Sequence, residues 1–175
     1  MAPVLRRTAA FKHCESLAKS LLGARAAYVY DHAIYKMPRA QNGTDWHQDE
    51  AYGSIAGRLG SLHFWIPLQT VTNETGCMRF IAASHRAGSL KHDRAARSHV
   101  RRVPEVDESV ATWCPLAAGG ITIHTPRTLH ATSGNRAGHI RKAWILHFGP
   151  WGTLAKLHPL SVIRRCQRTL TELAW

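Results

Sequence analysis

From Leu62 to Gly149 the chain runs through four short β-rich segments: LHFWIPLQTV (Leu62 to Val71), CMRFIAA (Cys77 to Ala83), GGITIHT (Gly119 to Thr125) and HIRKAWILHFG (His139 to Gly149). Gly, Asn and Pro signals separate them, and no helix lies between each pair. Parallel strands need long crossover connections, usually helical, so this spacing points to antiparallel sheet. A fifth segment, AAYVYDHAIYKM (Ala26 to Met37), comes first and stops at Pro38. The centre of the chain therefore reads as a sandwich or jelly roll.

Helical patterning is confined to the two ends. Phe11, Cys14, Leu17, Ala18 and Leu21 recur at spacings of three and four, with Gly23 where a helix C-cap would sit. Between Pro159 and Leu173, Leu160, Ile163, Leu170 and Leu173 share a face, with Arg164, Arg165 and Arg168 largely elsewhere. The expectation is one domain over residues 1–175, with a core at about 26–150 and a C-terminal helix at about 159–173 packed outside the sheet or forming a subunit contact. No repeat or linker divides it.

The chain has 23 Lys and Arg against 11 Asp and Glu, a formal charge of +12. That attracts anionic small molecules, phosphates or nucleic acid without choosing among them. Much of the charge lies between Ser84 and Thr112, a connection long enough to be functional. Cys14, Cys77, Cys114 and Cys166 are scattered with no C-x-x-C pair, which fits reduced thiols in the cytoplasm. No apolar run approaches the roughly 20 residues of a membrane-spanning helix. The basic, helix-patterned start also allows a mitochondrial transit peptide. Dinucleotide, Walker A and G-x-S-x-G signatures are missing, which removes the main support for nucleotide-fold and serine-hydrolase readings.

The chemistry concentrates in TDWHQDEAY, Thr44 to Tyr52. On an extended strand, residues i and i+2 share a face, so His47 and Asp49 can reach one ion while Gln48 points away. One imidazole, one carboxylate and a second imidazole from a distant strand make the facial triad of non-haem Fe(II) oxygenases, which leaves positions open for substrate-side ligands and oxygen. His124, His130 and His139 are the candidates for the second imidazole. His130 is chosen because it follows a strand and precedes the Ser133 to Gly138 turn, with Arg141 eleven residues on, on the returning strand. His124 is the fallback. A guanidinium delivered to the same pocket can grip a carboxylate in a bidentate way. His63, His85 and His147 read as structural or solvated.

Three blocks in order resemble the phytanoyl-CoA dioxygenase family of Fe(II)- and 2-oxoglutarate-dependent oxygenases: DWHQDEAY, HFWIPLQTVTNETGCMRFIAASHRAG and AGGITIHTPRTLHATSGNRAGHIRKAWILHF. They span about Tyr28 to Phe148, some two thirds of the chain. The resemblance implies a mainly β fold, a double-stranded β-helix (a cupin-like jelly-roll barrel) with flanking N- and C-terminal helices and iron at its open end. It implies His47, Asp49 and His130 as metal ligands and Arg141 as the partner of the distal carboxylate of 2-oxoglutarate. It places Thr132 where a serine commonly binds the same carboxylate, and Trp65 and Gln48 at the cosubstrate pocket. Family members carry more structure ahead of the region that starts here near Tyr28, so the chain reads as a short version.

The implied reaction is hydroxylation of a small organic molecule with Fe(II), 2-oxoglutarate and O2. The basic Ser84 to Arg102 stretch, if it overhangs the barrel mouth, favours an anionic substrate. Two alternatives stay open. One is a nucleic-acid-acting oxygenase, favoured by the charge and by Arg127, Arg136 and Lys142 near the site. The other is a jelly-roll binding module without catalysis.

Overall fold

The computed structural model describes residues 3–52, 60–94 and 101–150. The expected C-terminal helix at 159–173 lies outside the described residues.

One helix, α1 (Ala9–Leu22), precedes ten strands: β1 (Ala26–Lys36), β2 (Thr44–His47), β3 (Leu62–Pro67), β4 (Met78–Ile81), β5 (Asp93–Arg94), β6 (Arg101–Arg102), β7 (Ala111–Cys114), β8 (Thr122–His124), β9 (His130–Thr132) and β10 (Arg141–Pro150). Eight of them form two four-stranded antiparallel sheets, in the orders β1-β10-β3-β8 and β2-β9-β4-β7. The fold is mainly β, a jelly roll of the cupin-like type.

Helix α1 begins at Thr8, whose hydroxyl accepts from the Phe11 backbone N–H at 3.2 Å. It buries Phe11, Cys14 and Ala18 against Phe64, Trp144, Leu146 and Phe148 on the outside of the first sheet. Leu21, expected on that face, is 58% exposed, and Leu17 and Leu22 pack against the cluster instead. Gly23 terminates the helix at φ +93.

Strand β10 is buried on both faces, which explains its nearly unbroken apolar run. Trp144, Leu146 and Phe148 lie under α1, while Ala143 and Ile145 join Trp65, Val71, Cys77 and Met78 inside the barrel. The outer face of the second sheet is covered by part of the charged connection. Val103 and Val106 pack with Trp46, Leu129 and Ala131, and Val103 N–H donates to the Trp46 carbonyl at 2.7 Å. Cys14, Cys77 and Cys114 are free thiols, and Cys166 lies outside the described residues. Among the described residues no helix is long and apolar enough to cross a membrane.

Candidate metal centre

Strands β2 and β9 are four and three residues long, and their pairing sets His47 opposite His130 with ring centroids 4.2 Å apart. The two backbones approach so closely at Gly43 that a Cβ there would overlap the Thr132 carbonyl oxygen. Both histidines carry the same internal tether. His47 Nδ1 lies 2.7 Å from the Asp45 carbonyl oxygen, and His130 Nδ1 lies 2.8 Å from that of Thr128. A carbonyl only accepts, so each Nδ1 donates and each Nε2 keeps its lone pair for the barrel interior.

Asp49 reaches the same point by a different route from the one expected. The strand ends at His47, and Asp49 opens a short 3-10 turn, Asp49–Tyr52. Its Oδ1 lies 3.4 Å from His47 Nε2 and its Oδ2 3.7 Å from His130 Nε2. One donor atom from each of His47, Asp49 and His130 falls within 4.8 Å of the others, a spacing one divalent ion can span. Burial alone would raise the Asp49 carboxyl. Attraction to His130 and to the nearby His124, His47 and His63 rings outweighs it and holds Asp49 well below the usual carboxylate range. Burial, then the charge of His47, pushes His130 well below its ordinary value. For His47 burial is outweighed by Asp49, and the net direction is upward. The centre thus holds an anion and a neutral imidazole ready to donate, as metal binding requires.

Gln48, between the two ligands, is fully buried and points away from them. Its amide donates to the Gly88 and Arg127 carbonyls at 2.9 and 2.7 Å and accepts from Leu90 N–H at 2.8 Å. Gln48, expected at the cosubstrate pocket, ties two loops to the ligand turn.

Further along the inner wall lies Arg141, 1% exposed, with its guanidinium carbon 5.3 Å from the centre of the Trp65 ring. Its Nε and one terminal nitrogen, and the Thr132 hydroxyl, are buried with no hydrogen-bond partner among the described residues. Burial lowers the guanidinium to about 10, so it stays a cation at neutral pH. An orphaned cation, an orphaned hydroxyl and an aromatic wall fit a carboxylate-bearing molecule.

Two further buried rings also face Asp49: His63, which the sequence reads as structural or solvated, and His124, the fallback ligand. His63 Nδ1 is 2.6 Å and His124 Nε2 3.7 Å from Oδ2. For His63 the signal was register alone, since it pairs with His124 across β3 and β8, and a single strand does not reveal its neighbour.

A jelly roll that carries two histidines and a carboxylate at one point, with a buried arginine on its inner wall that has two nitrogens unpartnered among the described residues, defines the fold class of the mononuclear non-haem oxygenases. Within it, the chain belongs to the phytanoyl-CoA dioxygenase family: the profile Phytanoyl-CoA dioxygenase (PhyH) matches residues 2–143. A curated relative, phytanoyl-CoA dioxygenase domain-containing protein 1 homolog of Caenorhabditis briggsae, is 23% identical over 124 residues, 65% of this chain and 43% of the relative. The chain thus spans less than half the length of that relative. The crystal structure of EvdO2 from Micromonospora carbonacea var. aurantiaca complexed with 2-oxoglutarate superposes with a TM-score of 0.78 at 34% identity, over 85% of this chain and 62% of that one. The epimerase SnoN, in complex with Fe3+, alpha ketoglutarate and nogalamycin RO, shares the fold at a TM-score of 0.67 and 22% identity, over 85% of this chain and 59% of its own.

Proposed function

We propose that this chain is an Fe(II)- and 2-oxoglutarate-dependent dioxygenase that hydroxylates a small organic substrate, with an anionic group the favoured feature. The observation that carries the reading is the buried Arg141 guanidinium: its Nε and one terminal nitrogen, like the Thr132 hydroxyl, have no hydrogen-bond partner among the described residues, in the barrel that carries the His47, Asp49 and His130 set. Its acceptor should be a carboxylate, and the cosubstrate crystallised with the related EvdO2 is a dicarboxylate.

In this reading His47, Asp49 and His130 hold the ferrous ion, and their Nδ1 tethers keep the Nε2 lone pairs aimed at it. Arg141 and Thr132 bind the far carboxylate, and Trp65 forms a wall that fixes the chain between. When bound, iron and 2-oxoglutarate supply the oxidising power, with O2 consumed and succinate and carbon dioxide released. The protein contributes position and a dry enclosure.

A cleft of about 160 Å3 beside the ligand turn, lined by Glu50, His92 and Arg101 among others, is where a substrate would approach. Arg101 supplies a cation there, and Glu50 is already paired with Arg127 at 2.8 Å, which leaves the balance toward an anion. The test is 2-oxoglutarate turnover with Fe(II) and O2, followed as succinate. The parent should form succinate even without prime substrate at a slow rate, and His47→Ala should lose at least about 100-fold. Iron-dependent turnover retained in His47→Ala would refute the proposal.

A further inference from the structure

Asp49 is met by four imidazoles, and two of them, His63 and His124, belong neither to the ligand set nor to the pocket around Arg141. The closest of all is His63, whose Nδ1 lies 2.6 Å from Asp49 Oδ2 while its side chain is 2% exposed. At 2.6 Å the contact is a hydrogen bond, and a carboxylate that ligates a metal can only accept, so His63 Nδ1–H is the donor. The ring is fixed from behind as well. Register sets His63 opposite His147, and His147 opposite Tyr30, across neighbouring strands of the first sheet. The His63 and His147 centroids are 3.9 Å apart, edge to face, and Tyr30 stacks on His147 at 3.9 Å.

His63, His124 and Asp49 also bring three donor atoms within 4.8 Å, so a second ion is the obvious competing use. The outer ring nitrogens decide against it. Those of His47 and His130 are tethered to backbone carbonyls, whereas His63 Nε2 and His124 Nδ1 have no partner among the described residues. Ligating imidazoles almost always donate from the far nitrogen, which orients the ring and raises its basicity. Two dications bridged by one buried carboxylate would also repel strongly at low dielectric.

We propose that His63 is a positioning residue for the metal centre. By occupying Oδ2 it fixes the Asp49 carboxylate with Oδ1 turned toward His47 and the ion. Oδ1 would then be the oxygen Asp49 offers to a bound metal, with Oδ2 engaged by His63. The inference rests on the reading of His47, Asp49 and His130 as metal ligands.

The test is anaerobic titration of the metal-free full chain with Co(II) alone, read by calorimetry and by the intensity of the visible d–d bands. His63→Phe keeps the ring and removes the donor, and His63→Asn restores a donor near the Nδ1 position. Expected are one Co(II) per parent chain, about 10–100-fold weaker binding in His63→Phe with changed band intensity, and most of the affinity recovered in His63→Asn. Parent affinity in a folded His63→Phe overturns the proposal, and so does a second Co(II) in the parent that this variant loses. A parent that binds no Co(II) overturns the underlying ligand reading and this inference with it. Should His63→Phe not fold, 15N NMR of the metal-free parent decides: the Nδ1–H tautomer of His63 is expected, and the Nε2–H tautomer overturns the proposal.

Discussion

An interior cation without an anion beside it is costly, and Lys36 and Arg141 face each other across one antiparallel rung. Lys36 is 8% exposed, and its ammonium donates to the Ser133 carbonyl at 2.9 Å. Burial, reinforced by the Arg141 charge and opposed by Asp45, lowers it from 10.5 to about 7. Between those two values the folded chain binds fewer protons than the unfolded one, so stability rises with pH across that window. Below pH 7 the whole cost is present, of the order of 4–5 kcal/mol from the two pKa values. Lys36→Met should therefore stabilise the cosubstrate-free protein at pH 6 by roughly 2 kcal/mol, after the lost bond to Ser133 is allowed for. The gain should vanish above about pH 10.5. Urea unfolding at the two pH values checks this, and an equal effect at both would contradict it. Arg141 was legible in the sequence from its place on the strand returning from the His130 turn. Lys36 and His63 were not, because each acquires its role from a residue on another element: Arg141 on a strand for one, Asp49 on a turn for the other.

Elements place the ligands by backbone contact rather than by side-chain packing, and the β2–β9 pair shows it most directly. Gly43 has no Cβ where the Thr132 carbonyl crosses, and Gly43→Ala must push the strands apart at the rung beside Thr44 and Thr132. Because His47 and His130 lie on the same two short strands, that displacement should misplace both imidazoles. Metal affinity is expected to fall at least about tenfold, with thermal unfolding lowered by several degrees. Metal titration beside a thermal scan checks it, and parent affinity in Gly43→Ala would show that the strands are set elsewhere. The strands with long apolar runs, β1, β3, β4 and β10, were legible in outline. Strands β7 and β9 were not anticipated: at four and three residues they carry too few alternations to stand out, and they exist because β4 offers both its edges. The turn at Asp49 was read as continued strand because i, i+2 spacing describes the outcome without fixing the backbone that produces it. Gln48 was placed at the pocket by resemblance, whereas its three bonds to Gly88, Leu90 and Arg127 are long-range and invisible in the local sequence.

At the scale of the whole molecule, the jelly roll holds an ion-sized donor set and a buried cation with two nitrogens unpartnered among the described residues, in a family whose curated relatives the chain matches over 43% and 52% of their length. The charge of +12 fits an anionic ligand, and the described part of the charged connection contributes Val103 and Val106 to packing as well as Arg101 to the cleft. What the account requires is that the His47, Asp49 and His130 set and Arg141 act on one bound pair, ferrous ion and 2-oxoglutarate. Anaerobic addition of Fe(II) and then 2-oxoglutarate, followed by visible absorption, tests this most directly. The parent should develop the weak charge-transfer band of the iron-bound cosubstrate, His130→Ala should show none, and Arg141→Ala should need far more 2-oxoglutarate to reach it. A parent without the band at saturating cosubstrate, or an Arg141→Ala variant that titrates like the parent, would contradict the assignment.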